Sequence, residues 1–391
     1  MATKKIYTGI DIGTYHVKVI IAETPERSDL PMNILGTGLA ASRGMRHGYI
    51  IDKNEAARSI REALGRAQSA ARVRIKKARV AIGGVSLDEI RSSGDLSLTA
   101  SGGIVSERDV ERVKEESKKR ASSKLANRNV LHTIPLEYRL DGAIVLGQPV
   151  GLHGMKLSVD TLLITVLSQH YDDIIAAVEA VDVEVEDVMA SSLAASLVLL
   201  TKSQKMAGVV LANIGAETLS IIVFENDTPM SIKTFPIGAS DITKTIALSF
   251  QIPMPEAEAA KRGGIVGSEI SDKKIQVVIV SRLKDMFTLI NAHLKSIGRE
   301  RLLPAGIVIA GGGAGLVSAS EVARAILRIP SQIGQIGTMA RTSSVDGTWA
   351  VAYGLCRWAY AEDNALRTSS IVEIFEHAKD VTKQALRALL P

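Results

Sequence analysis

Cysteine is almost absent from this chain of 391 residues: Cys356 stands alone, which excludes an internal disulfide. No Cys-x-x-Cys pair or His-x-x-x-His spacing offers a metal site, and the seven histidines are scattered and read as structural. Aromatic residues make up only 4%, and the 47 basic residues are nearly matched by 42 acidic ones, so the net charge of +5 does not describe a nucleic-acid stripe. The densest charged stretch, Ser106 to Arg120, mixes both signs at helical spacing and reads as a solvated helix face. No apolar run reaches transmembrane length, and Met1-Ala2-Thr3-Lys4-Lys5 passes straight into a strand-like segment without a signal-peptide hydrophobic region. A cytosolic location is expected.

Hydrophobic residues are plentiful at 46%, and over this length they supply more than one core, so two domains or several subdomains are expected. The most informative feature is a pattern written twice. Its first copy, Ile6-Tyr7-Thr8-Gly9-Ile10-Asp11-Ile12-Gly13-Thr14, precedes the β-rich run Val17 to Ile21. The second, Val209 to Thr218, contains Asn213-Ile214-Gly215-Ala216-Glu217-Thr218 and precedes Leu219 to Phe224. Each reads as a β-hairpin whose tight turn presents backbone N–H groups. Two such turns facing one another across a cleft would hold the two sides of one polyphosphate.

A third glycine turn follows the strand Gly306 to Ile309: the run Ala310-Gly311-Gly312-Gly313-Ala314-Gly315 leads toward a helix expected from Val317 to Leu327. Glycine lets the backbone approach a ligand where a Cβ would collide, and the helix N-terminus adds partial positive charge for phosphate. Between the motifs, residues 6–40 read as a three-stranded meander and Ser42 to Gly48 as a basic, turn-rich loop. Asp52 to Arg66 reads as a helix with Glu55 completing a capping box, and Ala78 to Gly84 as a buried strand. Residues 85–160 change texture and read as an inserted subdomain. Thr161 to Leu167 is expected to return to the first domain as a buried strand, followed by helices over Tyr171 to Val181 and Ser191 to Leu200. The second half carries its own insertion from about Ile237 to Leu303, helical and charged.

Hairpin, hairpin and strand-Gly-Gly-Gly in this order resemble the phosphate 1, phosphate 2 and adenosine signature of the actin-like ATPases. Within that superfamily the chain resembles the bacterial cell-division family FtsA over nearly its whole length. Ser42-Arg43-Gly44-Met45 with Gly48 carries part of the likeness, as does Ala305-Gly306-Ile307-Val308. The most specific stretch is His132-Thr133-Ile134-Pro135-Leu136-Glu137-Tyr138 followed by Pro149 to Leu157, because it lies in a subdomain that FtsA and its pilus-associated relatives carry in place of actin's. The resemblance implies an α/β, actin-like (ribonuclease H-like) duplicated ATPase fold with an inserted subdomain 1C (SHS2). Its subdomains would be 1A (1–84, 161–200 and 338–362), 1C (85–160), 2A (201–236 and 304–337) and 2B (237–303). A linker (363–370) and a C-terminal amphipathic helix (371–391) would follow.

ATP and Mg2+ are the implied cofactors. By the same resemblance Asp11 is the phosphate 1 aspartate that approaches magnesium through water, and Gly13 and Thr14 meet the phosphates. Lys18 follows in the hairpin and is alternatively an exposed strand residue. Gly215 and Thr218 match phosphate 2, and Gly311, Gly312 and Gly313 the adenosine motif. Glu256 to Arg262 resembles the helix that contacts ribose and adenine, with Glu258 and Lys261 on one face; an intrahelical ion pair is the other reading. Asp187 is either the residue that orients attacking water or a helix N-cap. Asn213 stands where the family presents an acid, and Ala216-Glu217 replaces a glycine pair. An amide supplies no full negative charge to organise magnesium-bound water, so slow or absent hydrolysis is expected, with nucleotide serving as an interdomain clamp.

The resemblance also implies partners. The C-terminal tail of the tubulin-like protein FtsZ would dock on the second insertion, where Arg282 matches a tail-binding arginine, although a surface arginine needs no partner. Self-association into filaments, with the first insertion touching the neighbouring protomer, and contacts with other division proteins are implied as well. At the C-terminus Ile371, Phe375, Ala378, Val381, Ala385, Leu386, Leu389 and Leu390 share one helical face. The resemblance makes this a membrane-interface anchor that holds the protein on the inner face of the cell membrane at the division site. Glu373, Glu376 and Asp380 fit anionic lipid poorly, so packing on the body or on a partner stays open. Two rivals come from other classes, and a third is a near relative. A sugar kinase needs a catalytic aspartate where the second hairpin has Asn213, a chaperone ATPase needs a following peptide-binding domain, and a pilus-assembly relative recruits other partners.

Overall fold

The computed structural model describes residues 4–25, 30–98, 103–264, 271–336 and 345–365. β1 (Ile6–Ile12), β2 (His16–Glu23) and β3 (Asn33–Ala41) form the expected antiparallel meander. A small hairpin of β4 (Met45–Arg46) and β5 (Tyr49–Ile50) then leads into α1 (Lys53–Ala71). Asp52 caps α1 by accepting from the Asn54 and Glu55 N–H groups at 2.9 and 3.1 Å, worth about 1 kcal/mol. Glu55 turns instead to Arg58 at 2.6 Å. Ala56, Ile60, Ala63, Leu64 and Ala67 recur at helical spacing and bury against the meander. β6 (Lys77–Ile82) then pairs in parallel with β1.

Next comes the inserted unit: β7 (Asp88–Ser97), α2 (Glu107–Arg120), β8 (Arg128–Leu140), β9 (Ala143–Val145) and β10 (Lys156–Leu167), with strand order β7-β10-β8-β9. Charges on α2 pair along the helix, Lys114 with Glu111, Lys118 with Glu115 and Lys119 with Glu116. The expected boundary at 160 falls inside β10, and Thr161 to Leu167 belongs to this inserted sheet rather than to the first domain's. The reason is a register shift between Asp160 and Thr161. Leu157 and Val159 serve the small core under α2, whereas Leu162, Ile164 and Val166 join the main core. After α3 (Ser168–Glu179), β11 (Glu184–Ala190) is the strand that returns, giving the order β11-β6-β1-β2-β3.

α4 (Ser191–Leu199) and α5 (Lys202–Ala207) lead into the second half, where β12 (Val209–Ile214), β13 (Leu219–Glu225) and β14 (Thr228–Phe235) repeat the meander. The helical insertion follows as α6 (Ala239–Phe250), α7 (Met254–Lys261) and α8 (Asp272–Ser296). β15 (Ile307–Ala310), α9 (Ala319–Leu327), β16 (Ser331–Ile333) and α10 (Ala350–Ala365) complete the described chain. The order β14-β13-β12-β15-β16, with β15 and β16 parallel, reproduces the first sheet's plan. The duplication inferred from two hairpins is therefore a duplication of whole sheets.

Alternation along the second sheet decides where it packs. Val209 and Leu211, Ile222 and Phe224, Val308 and Ala310 join the core shared with α4 and α10. Val210, Ala212, Leu219, Ile221, Ile307 and Ile309 join the core under α6, α8 and α9. α4 and α10 thus form a seam between the two sheets, crossing so closely that a Cβ on Gly354 would lie 1.9 Å from the Ala194 carbonyl oxygen. Cys356 is buried in this seam, and burial pushes its thiol up to about 12, so it is a packing residue.

α10 continues to Ala365, so 363–365 of the expected linker is helical; the expected amphipathic helix over 371–391 lies outside the described residues. Among the described residues no helix is long and apolar enough to cross a membrane. Near its end α10 carries Glu362, which pairs with Arg79 of β6 at 2.5 Å while the guanidinium lies 4.4 Å from the Trp358 ring. Both partners are buried. Glu362→Ala strands the arginine charge and is expected to cost roughly 3–5 kcal/mol in denaturant unfolding, whereas a loss under about 1 kcal/mol would contradict a structural role for the pair.

Candidate functional site

Both hairpin turns and the glycine loop open onto one cleft of about 720 Å3, within the size range of small-molecule sites. The turns are built alike: the Gly13 N–H donates to the His16 carbonyl at 3.1 Å and the Gly215 N–H to the Thr218 carbonyl at 2.8 Å. Asp11, Gly13, Thr14 and Lys18 line the cleft from the first half, and Gly215, Thr218, Glu258, Lys261, Gly311 and Gly312 line it from the second. Gly313, Asp187 and Arg282 do not line it.

Asp11 and Lys18 face one another across the β1–β2 pair. Burial raises the Asp11 carboxyl above its ordinary range, and the neighbouring Lys18 charge opposes that rise. The Lys18 ammonium donates to the Thr348 carbonyl at 2.7 Å, so it ties the hairpin to the segment that opens α10 rather than standing free on an exposed strand. On the opposite wall, Lys261 and Glu258 form an ion pair at 2.5 Å. The lysine also donates to the Ala239 carbonyl at 3.1 Å and to Thr243 Oγ1 at 2.8 Å. Burial lowers the Lys261 pKa. Burial would raise that of Glu258, but bonds from Lys261 and Thr243 outweigh it and hold the carboxylate below its ordinary range. The two readings of this pair are compatible, since an intrahelical ion pair is itself part of the cleft wall.

The three glycines of the third turn are glycines for different reasons. At Gly311, φ is 83° and ψ is −179°, a conformation open essentially to glycine alone, and a Cβ would lie 2.2 Å from Asn213 Oδ1. A Cβ on Gly313 would lie 2.4 Å from Ile214 Cγ2, so its glycine serves packing against β12. Nothing lies within 4 Å of a Cβ on Gly312, which borders the cleft. No neighbour in the protein excludes a side chain there, so a glycine at this position keeps the cleft wall open. The loop enters a 3-10 turn over Gly312–Gly315, and α9 starts at Ala319, two residues after the expected start at Val317, and ends at Leu327 as expected.

Asp187 corrects a sequence expectation. It lies within β11, its carboxylate accepts from the Val188 N–H at 2.7 Å, and α4 is preceded by Ala190 without a side-chain cap. The strand runs straight into the helix, which leaves Asp187 upstream of any capping position. Asn213 does line the cleft. Among the described residues no cluster of three or more His, Cys, Asp and Glu side chains could hold a metal ion.

Several cross-domain contacts carry no local sequence signal. The His47 N–H donates to the Glu217 carboxylate at 2.6 Å, so the acid that replaces a turn glycine acts as a strut to the basic loop of the first half. Arg262 donates to the Tyr15 hydroxyl at 3.2 Å over the cleft. From the inserted sheet, Glu89 accepts from the Ile232 N–H at 2.5 Å and the Ser231 hydroxyl at 3.0 Å, which fastens β7 to β14. Only residue pairs distant in sequence make these bonds.

Comparison with solved structures defines the class. The chain superposes on a protein of the PilM-PilN type IV pilus biogenesis complex with a TM-score of 0.70 at 16% identity, covering 90% of this chain and 97% of that one. It superposes on MreB 5 of Spiroplasma citri, solved bound to AMPPNP, with a TM-score of 0.51 at 12% identity, covering 93% and 98%. Its fold is actin-like, with an inserted SHS2 unit. Models of two families match it, the SHS2 domain inserted in FtsA over residues 84–165 and the cell division protein FtsA over residues 210–354. FtsA of Pseudomonas aeruginosa is 29% identical over 351 residues, covering 84% of this chain and 83% of that protein. For FtsA of Bacillus subtilis the identity is 28% over 349 residues, covering 84% and 78%. The chain belongs to the FtsA family.

The glycine assignments predict a contrast in stability. Gly311→Ala is expected to lower stability by roughly 1–3 kcal/mol, and Gly312→Ala to change it by less than about 0.5 kcal/mol, in thermal or denaturant unfolding. Equal losses would contradict the distinction.

Proposed function

We propose that the chain is an ATP-binding, actin-like protein of bacterial cell division that assembles into filaments and links the FtsZ ring to the cytoplasmic membrane. The observation that carries nucleotide binding is the convergence of three glycine turns, at Gly13, Gly215 and Gly311, on one cleft with Gly312 open to it. Backbone N–H groups of two facing turns suit a polyphosphate, and a fold neighbour solved with AMPPNP supports adenine nucleotide as the occupant. Thr14 and Thr218 flank the phosphates, and the Glu258–Lys261 pair meets the nucleoside. Magnesium would be held chiefly through the phosphates, with Asp11 the carboxylate at the first turn, and would neutralise phosphate charge. Hydrolysis is weak or absent: Asn213 offers an amide where a carboxylate would organise water, and Asp187 stands outside the cleft. Binding then joins the two halves across the α4–α10 seam and selects a conformation that polymerises.

Family membership supports the division role, and the outer face of the helical insertion supports a peptide partner. Arg282 is steered by Thr245 Oγ1 at 2.9 Å and Asp285 at 3.0 Å, and its side chain stays 41% exposed. Leu248 of α6 and Val277 and Leu289 of α8 are exposed on the same helices. A basic group on helices that also expose apolar side chains suits an acidic peptide such as the tail of FtsZ. Membrane attachment rests on the one-sided apolar pattern of residues 371–391. A pilus-assembly scaffold is the second reading, favoured by the likeness to the pilus biogenesis protein, and capture of an FtsZ tail peptide separates the two.

Two outcomes test the proposal. Gly312→Asp places a carboxylate in open space, so it is expected to melt like the unaltered protein and to lose ATP binding in calorimetry; undiminished affinity would remove the cleft from the account. Arg282→Glu is expected to weaken capture of an immobilised FtsZ tail peptide at least about tenfold. Unchanged capture, or none by the unaltered protein, would count against FtsZ as the partner at this surface.

A further inference from the structure

We infer that Tyr15 and Arg262 form a clasp across the rim of the cleft that sets the rate of nucleotide exchange. The inference rests on the nucleotide reading of the cleft and adds to it two side chains, one from each half of the molecule, that govern passage in and out. Tyr15 stands in the first hairpin turn, where its carbonyl accepts from the Ser42 N–H at 3.0 Å and its ring meets that of His16 edge-on at 4.5 Å between centroids. Arg262 is the residue that ends α7. Its guanidinium donates to the Tyr15 hydroxyl at 3.2 Å and lies 5.7 Å from the centre of the Tyr15 ring. Both side chains line the cleft. Of the side-chain bonds that join the two halves among the described residues, this is the one made by two cleft-lining side chains; His47 with Glu217 and the contacts of β7 with β14 do not line it.

Exposure places the contact at the rim. Tyr15 is 49% exposed and the Arg262 side chain 59%, whereas the side chain of its neighbour Lys261 is only 8% exposed. Residues that border the cleft and still face solvent mark its edge. From this edge a series of hydrogen bonds continues without a break to the second turn. Arg262 Nε donates to Glu258 at 2.8 Å, and Lys261 pairs with the same carboxylate. Lys261 also donates to the Ala239 carbonyl at 3.1 Å, and the Ala239 N–H donates to the Gly215 carbonyl at 2.9 Å. The two turns are thus tied to one another by way of α7, and a nucleotide lying between them is enclosed by the series. Release requires one link to part. The Tyr15–Arg262 bond is the longest and the most exposed link, and a bond between half-exposed groups exchanges readily with water, so it is the one that opens. A group that only bars passage acts on entry and release alike; a group that holds the nucleotide acts on affinity.

Stopped-flow association and dissociation of N-methylanthraniloyl-ATP with magnesium, on the full chain, test this for the unaltered protein, Tyr15→Phe, Arg262→Met and the double variant, with melting temperatures as the control for folding. Tyr15→Phe removes only the hydroxyl, and Arg262→Met removes the charge while keeping the length of the side chain. Each is expected to raise the association and dissociation rates together by about threefold to tenfold, the equivalent of one lost hydrogen bond, so that their ratio stays within about twofold. Because both changes break the same contact, Tyr15→Phe is expected to add nothing in the Arg262→Met background. Unchanged rates, effects that multiply in the double variant, or faster dissociation with a matching loss of affinity would overturn the clasp while leaving the cleft assignment standing. No binding of the labelled nucleotide, or of unlabelled ATP in calorimetry, by the unaltered protein would overturn both.

Discussion

Packing of α4 and α10 between the two sheets is the constraint on which the rest of the molecule depends. Each sheet begins with a meander whose first turn points along the sheet toward the cleft, and the relative position of those turns is set by what lies between the sheets. The seam is apolar and close-packed, with Gly354 allowing α10 to press against Ala194. β12, β13 and β15 are apolar on both faces, so the second sheet is held by the seam on one side and by α6, α8 and α9 on the other. Close-packed interiors resist continuous deformation, so two facing turns built on such a seam keep their spacing until the seam itself changes arrangement.

Polar contacts above the seam are fewer and more exposed. His47 to Glu217, Arg262 to Tyr15 and Glu89 to the β14 backbone each join the halves by one or two hydrogen bonds. Bonds of this kind contribute about 1 kcal/mol each and exchange readily with water, whereas the buried seam does not. The halves are thus held by a close-packed apolar seam and, apart from it, by polar contacts that exchange with water. Lys18 spans both levels, lying beside Asp11 while bonded to the carbonyl of Thr348 at the start of α10. A ligand that draws on this lysine also acts on the helix that runs through the seam.

Much of this was readable in the chain itself wherever the cause is local. Gly13 and Gly215 announce hairpin turns because the turn chemistry is contained in a few residues, and the meanders, α1 and the helical insertion follow from period and capping. The roles of Gly311, Gly312 and Gly313 look identical in sequence and separate only because Asn213 and Ile214, a hundred residues earlier, occupy the space beside two of them. Asp187 was misplaced because a strand that continues unbroken into a helix leaves no cap to mark the junction. The boundary at 160 was misplaced because one strand serves two cores through a register shift, and each half on its own reads as a separate buried strand.

Amide hydrogen exchange on the full chain, with and without ATP and magnesium, tests the central claim most directly. The account predicts that nucleotide slows exchange at the Gly13–His16 turn, the Gly215–Thr218 turn and the Gly311–Gly315 loop together, at the same ligand concentration. Protection confined to one half of the molecule, or found only at some other surface, would contradict it.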